Sequence, residues 1–200
     1  ELGINYIDTA PAYGVSEERV GKTLGARRDV VISTKVGETF ANGVSHFDFT
    51  AKAVQRSLER SRRLLRRDSL DLVFVHSNGE DDYVLEQTDV VAALVEARRR
   101  GEARCIGFSG KTVAGAQAAL SWADAVMVEY HMEEPSHEGM IAAAAAVGVG
   151  VIVKKGLASG RLSADQAIRF VLGNAAVTSM VIGGLSLDHM RRNVEASMRG

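Results

Sequence analysis

Seven short apolar runs, most of them rich in Val and Ile, recur along this chain, each followed by a stretch with helical periodicity. No other feature limits the fold as tightly. The runs occupy residues 4–7, 29–36, 70–75, 104–108, 125–129, 149–153 and 179–182, and helices are predicted over 16–25, 51–65, 90–100, 113–122, 139–147, 164–172 and 187–198. Runs that are apolar without alternation are expected to be covered on both faces, which a parallel sheet wrapped by helices provides. An open doubly wound sheet competes, but it normally carries a glycine-rich turn after its first strand. Here Ile7 is followed by Asp-Thr-Ala-Pro-Ala-Tyr. The expected fold is therefore α/β, a (β/α)8 TIM barrel whose first strand and helix are absent from this chain, since seven units are one short of closure. The chain opens on Glu1 and is inside a strand by Ile4, so it reads as a fragment starting near a second strand, with residues 1–200 as a single barrel domain.

Composition removes several function classes. A net charge of −1 argues against nucleic acid or an anionic membrane as partner. The alanine-rich 141–153 stretch is interrupted by Gly148 and Gly150, too soon to cross a bilayer. Cys105 is the one cysteine; it is expected in the core, and its isolation fits a reducing, cytoplasmic setting. His131 and His137 with Glu133, Glu134 and Glu138 lack the spacing of a metal motif, so no metal site is expected. The arginines Arg60, Arg62, Arg63, Arg66 and Arg67 read as a solvated helix face.

Polar and ionisable residues recur at the C-terminal ends of the runs, the rim where a barrel assembles its site. The first run ends in Asp8 with Tyr13 beyond it, the second in Ser33-Thr34-Lys35, and the third in His76-Ser77-Asn78. Taken singly, Asp8 caps a turn, Tyr13 fills a loop and His76 is satisfied in the core. Together they suit proton delivery to a carbonyl oxygen. Lys35 near Tyr13 would lower the phenol pKa, Asp8 would hold the lysine charged, and neutral His76 would fix a substrate oxygen. A rim lysine forming a Schiff base is the competing chemistry, and it leaves the pairing of Asp8 with Tyr13 unexplained.

Five segments then carry a resemblance: GINYIDTAPAYG at 3–14, ISTKVG at 32–37, SLDLVFVHS at 69–77, IGFSG at 106–110 and VIGG at 181–184. In this order they resemble the aldo-keto reductases, barrel enzymes that reduce aldehydes and ketones to alcohols with NAD(P)H. The resemblance implies that Asp8, Tyr13, Lys35 and His76 are the catalytic tetrad, with Tyr13 as general acid and base. It also implies cofactor contacts from Ser109, Glu129, Lys154, Lys155, Leu157, Gly183, Gly184, Ser186, His189, Arg192 and Asn193. Three positions depart from the pattern: Gly110 replaces an asparagine, Met127 a glutamine, and Lys154 the aromatic that often stacks on nicotinamide. His189 and Arg192 lie where the 2′-phosphate and adenine are met, and NADP(H) is expected ahead of NAD(H). The implied partner is a small-molecule carbonyl substrate drawn to a pocket shaped by residues 40–49, 78–84 and 132–137. A nucleotide-binding regulatory or catalytically degenerate homologue is the alternative.

Overall fold

A computed structural model describes residues 2–198. The seven apolar runs form the strands β1 (Tyr6–Asp8), β2 (Val31–Val36), β5 (Leu70–His76), β6 (Ala103–Ser109), β7 (Ala125–Glu129), β8 (Gly150–Lys154) and β9 (Ser179–Met180). All pair in parallel, in chain order, as one sheet. Between them run α1 (Ser16–Leu24), α2 (Ala51–Leu65), α3 (Asp81–Glu86), α4 (Val90–Arg99), α5 (Val113–Ala119), α6 (Glu138–Ala146), α7 (Ala164–Gly173) and α8 (Leu187–Ser197).

Two apolar layers result, because successive strand residues point to opposite faces. One face packs on the helices through Ile32, Val73, Val75, Ile106, Val126 and Val151, with Leu58 and Leu94 opposite. The other gathers Leu72, Phe74, Ala125, Met127 and Ile152 into a second cluster, and both Tyr6 of β1 and Val181 beyond β9 pack on it. Residues from the two ends of the sheet thus share one interior, so the sheet curls. Among the described residues β1 and β9 do not pair with each other, which leaves the curl open along one seam.

Three expectations are corrected. Cys105 is exposed rather than buried. It aligns with Leu72 in the β5–β6 register, on the strand face opposite Ile106. Arg67 is buried rather than solvated: its guanidinium meets Asp71 at 3.2 Å and donates to the backbone carbonyls of Arg27 and Val30. Residues 40–49 and 78–84 are not simple loops. The first contains a hairpin of β3 (Glu38–Ala41) and β4 (Val44–Phe47), and the second runs into α3. At the hairpin tip Asn42 and Gly43 both take positive φ, 53° and 80°, as a tight two-residue turn requires.

Helix α1 is held to α2 more closely than its pattern suggests. A Cβ at Gly21 would lie 1.9 Å from the Leu64 carbonyl oxygen, so only glycine lets the backbones approach. Beside it Glu17, which reads in sequence as a first-turn helix acid, is buried. Its carboxylate accepts from Thr34 Oγ1 at 2.7 Å, Ser61 Oγ at 2.6 Å and Arg60 at 3.1 Å. It therefore ties β2 and α2 to α1. Glu17→Ala is expected to destabilise the protein by about 3 kcal/mol, because two buried hydroxyls and a guanidinium lose their acceptor. Urea denaturation should show a lower midpoint at unchanged slope.

Candidate active site

The C-terminal ends of β1, β2 and β5 bring Asp8, Lys35 and His76 to one rim, and the turn after β1 returns Tyr13 above them. That turn is set by Pro11 and closed by the Tyr13 amide, which donates to the Ala10 carbonyl at 3.0 Å. Lys35 is 2% exposed, and its Nζ meets Asp8 Oδ2 at 2.5 Å and the Thr9 carbonyl at 2.9 Å. Asp8 is held in turn by Ser33 Oγ at 2.6 Å, and that hydroxyl accepts from the Tyr6 phenol at 2.7 Å. A relay of four side chains thus fixes the ion pair from beneath. Lys35 Nζ lies 4.9 Å from the centre of the Tyr13 ring, and the His76 ring stands edge-on to the same ring at 6.1 Å.

Electrostatics correct one sequence expectation. The Tyr13 phenol is not lowered but pushed up to about 12, by burial first and then by the carboxylates of Asp8 and Glu38. Burial and the two carboxylates outweigh any lowering by Lys35. The lysine itself is pulled below its ordinary value by burial, against the opposing pull of Asp8. His76 is driven down to about 3 by burial and by the cations Lys35, Lys154 and Lys111, so it is neutral at physiological pH.

The expected cofactor residues divide into two groups. Ser109, Glu129, Lys154 and Lys155 stand together at the ends of β6, β7 and β8. Lys154 Nζ donates to Ser109 Oγ at 3.0 Å and to the Gly110 carbonyl at 2.7 Å, and burial beside Lys155 and Lys35 lowers it to about 8. Lys155 pairs with Glu129 at 2.6 Å. Leu157 leads into a 3-10 turn, Ala158–Gly160, where its carbonyl accepts from the Gly160 amide. Gly183, Gly184, Ser186, His189, Arg192 and Asn193 form the second group, on the loop after β9 and the first turns of α8. Ser186 caps that helix by accepting from the His189 amide at 3.4 Å. No hydrogen bond joins this second group to the tetrad among the described residues.

The donor set fits an anionic dinucleotide. Two lysines flank the rim, and the capped N-terminus of α8 with two exposed glycines before it offers backbone amides to a phosphate. Among the described residues no group of three or more His, Cys, Asp or Glu is placed to hold a metal ion. His131 serves its own loop, accepting from the Glu133 amide at 3.3 Å.

Sequence reasoning missed Glu38, Asp81 and Lys111. Glu38 enters the site on β3, and the Asn42-Gly43 pair flanked by alternating residues is the signal that would have found its hairpin. Asp81 accepts from Ser77 Oγ, from the amides of Lys111 and Thr112 at 2.8 Å, and from Thr112 Oγ1 at 2.8 Å. Nothing in its sequence neighbourhood marks it.

This barrel-type sheet with an ionic rim agrees with the comparisons to known proteins. The aldo/keto reductase family profile matches residues 1–167, and the chain belongs to that family of oxidoreductases. A solved structure titled as an aldo-keto reductase assignment from Pseudomonas aeruginosa superposes with a TM-score of 0.94 at 42% identity, covering 98% of this chain and 79% of that one. L-galactose dehydrogenase of Arabidopsis thaliana is 36% identical over 54% of this chain, a match that spans 35% of that enzyme's length. D-threo-aldose 1-dehydrogenase of a Pseudomonas species is 25% identical over 98% of this chain and 79% of its own. Aldo-keto reductases generally use NAD(P)H and act on small molecules. No helix among the described residues is long and apolar enough to cross a membrane.

Proposed function

We propose that this chain interconverts a carbonyl and an alcohol with NADP(H), preferred to NAD(H), acting on a small molecule as a cytoplasmic enzyme of one barrel domain. The observation that carries the reading is the buried Asp8–Lys35 pair set 4.9 Å beneath the Tyr13 ring, with neutral His76 at its edge. The cofactor, when bound, exchanges the hydride; Lys154, Lys155, the backbone near Leu157, and residues Gly183 to Asn193 would hold it. The proton is the protein's contribution. With its pKa near 12, Tyr13 is protonated at neutral pH and is the group that gives a proton to a developing alkoxide. Lys35 stabilises the phenolate left behind, and Asp8 keeps Lys35 in place without itself meeting substrate. His76 hydrogen-bonds the substrate oxygen from the side.

The names of two relatives, both sugar dehydrogenases, add weight to a hydroxyl-bearing substrate and to an oxidative direction. Titration of the protein with NADPH and NADH, followed by quenching of its fluorescence, tests the reading. Saturable binding with NADPH at least about tenfold tighter is expected, since the phosphate adds charge-assisted hydrogen bonds. Absence of binding by either would favour the catalytically degenerate alternative, with Gly110, Met127 and Lys154 as its cause, whereas binding without turnover of any carbonyl or alcohol would favour the nucleotide-binding regulatory one.

A further inference from the structure

One tier of inward-facing strand residues closes the inner cluster at the rim. Two positions on from Tyr6, Phe74, Met127 and Ile152, which share that cluster, stand Asp8, His76, Glu129 and Lys154, because alternate strand residues face the same way. Lys35 and Ser109 belong to the same tier, since their neighbours Val36 and Phe108 pack on the helix side. Lys154 thus stands in the layer that holds Asp8, Lys35 and His76.

The tier's charges pair unevenly. Asp8 is matched by Lys35 at 2.5 Å and Glu129 by Lys155 at 2.6 Å, which uses both of its carboxylates. Lys154 Nζ reaches instead across the end of β7 to neutral atoms at the end of β6, Ser109 Oγ at 3.0 Å and the Gly110 carbonyl at 2.7 Å. Among the described residues no carboxylate lies within ion-pair distance of it, and two acceptors leave one of its three N–H donors unspent. Ser109 is the register partner of His76, one strand spacing of about 5 Å away, so the ammonium stands beside the reacting groups and its charge is felt by His76.

We propose that Lys154 discriminates between the redox states of the cofactor, favouring the neutral reduced nicotinamide over the cationic oxidised one. The inference rests on the cofactor reading proposed above. Hydride exchange requires the nicotinamide to lie against the substrate carbon, which Tyr13 and His76 locate, and so within this tier. The oxidised nicotinamide carries a positive charge that the reduced one lacks, while every phosphate is common to both. An unpaired cation in that layer therefore opposes the oxidised form alone. The opposition has a ceiling: burial, Lys155 and Lys35 lower the ammonium to about 8 against the pull of Asp81 and Glu129, so at pH 7 it can shed its proton at a cost of about tenfold. Favouring the reduced form draws the bound equilibrium toward alcohol oxidation, in which the alcohol gives its hydride to the nicotinamide and its hydroxyl proton to Tyr13.

The test is calorimetric titration of the protein at pH 7 with NADPH and, separately, with NADP+. The wild type should bind NADPH about tenfold more tightly than NADP+, the ceiling set by the lysine's proton. Lys154→Met should abolish that preference, and Lys154→Arg, which keeps the charge, should retain it. The ratio of the two dissociation constants cancels every contact that both forms share. A lysine that merely holds a phosphate would, once replaced, weaken both forms alike and leave the ratio unchanged, and that result would overturn the proposal. Should the variants not fold, the wild-type ratio alone decides. Equal binding of both forms by the wild type would sink this inference and leave the cofactor reading standing, whereas binding of neither would overturn the cofactor reading and this inference with it.

Discussion

Tyr13→Phe is expected to lower kcat/KM for carbonyl reduction by roughly 10²–10⁴-fold, the usual worth of a positioned general acid. NADPH affinity should stay within about twofold, because the lost hydroxyl acts on the proton and not on binding. The ring keeps its edge contact with His76 and its place over Lys35, so the fold is untouched. The wild type's pH profile gives the same residue a second signature. Reduction uses the phenol, which is protonated at every pH below about 12, so its rate should be flat through neutrality and fall only in strong alkali. Oxidation needs the phenolate, whose small fraction grows about tenfold per pH unit below that value, and its rate should climb accordingly. Initial rates in both directions between about pH 6 and 9 check both signs. A bell centred near neutrality would remove Tyr13 from the proton's path.

Lys35→Met carries a double cost. The methionine fills the space, but Asp8 and the Thr9 carbonyl lose their donor in a site where Asp8 is only 11% exposed. Breaking a buried pair on one side typically costs about 3–5 kcal/mol, because the remaining charge is left uncompensated. Ser33 still donates to Asp8, so the lower end of that range is expected in a denaturation midpoint. Activity should fall further than stability. With the cation gone, Asp8 faces Tyr13 unopposed and raises the phenol still more, moving the alkaline rise of the oxidation rate to higher pH. The expected fall in kcat/KM is about a hundredfold. A folded variant whose rate and pH profile matched the wild type would exclude Lys35 from the mechanism.

The order of elements was legible because apolar strands and amphipathic helices leave different periodicities, and α2 and β7 fall where the pattern places them. The gathering of Asp8, Lys35 and His76 at one rim was legible for a related reason: a strand that ends in an ionisable residue announces where the sheet stops being buried. What stayed hidden depended on side chains that are partnered across the chain. Glu17 has the local dress of a helix start, yet Ser61 and Thr34 claim it from other elements. Arg67 belongs by sequence to a run of surface arginines, and only the carbonyls of Arg27 and Val30 show why it is inside. Cys105 went the other way, since a strand residue is covered only where its layer is closed. The Tyr13 phenol shift was misread because burial of the ring and the carboxylates of Asp8 and Glu38 were not weighed against Lys35, and Glu38 reaches the site on a hairpin the sequence reading missed.

Asp81 ties two turns that a specificity engineer would treat as separate. Its carboxylate joins Ser77, just beyond His76, to the start of α5 at Lys111 and Thr112, just beyond Ser109. Lys111 Nζ returns the connection by donating to the Asn78 carbonyl at 3.0 Å. The segments 77–81 and 110–112 therefore form one cassette, inherited or grafted as a pair. A loop transplanted into either position without its counterpart would arrive with half of a socket.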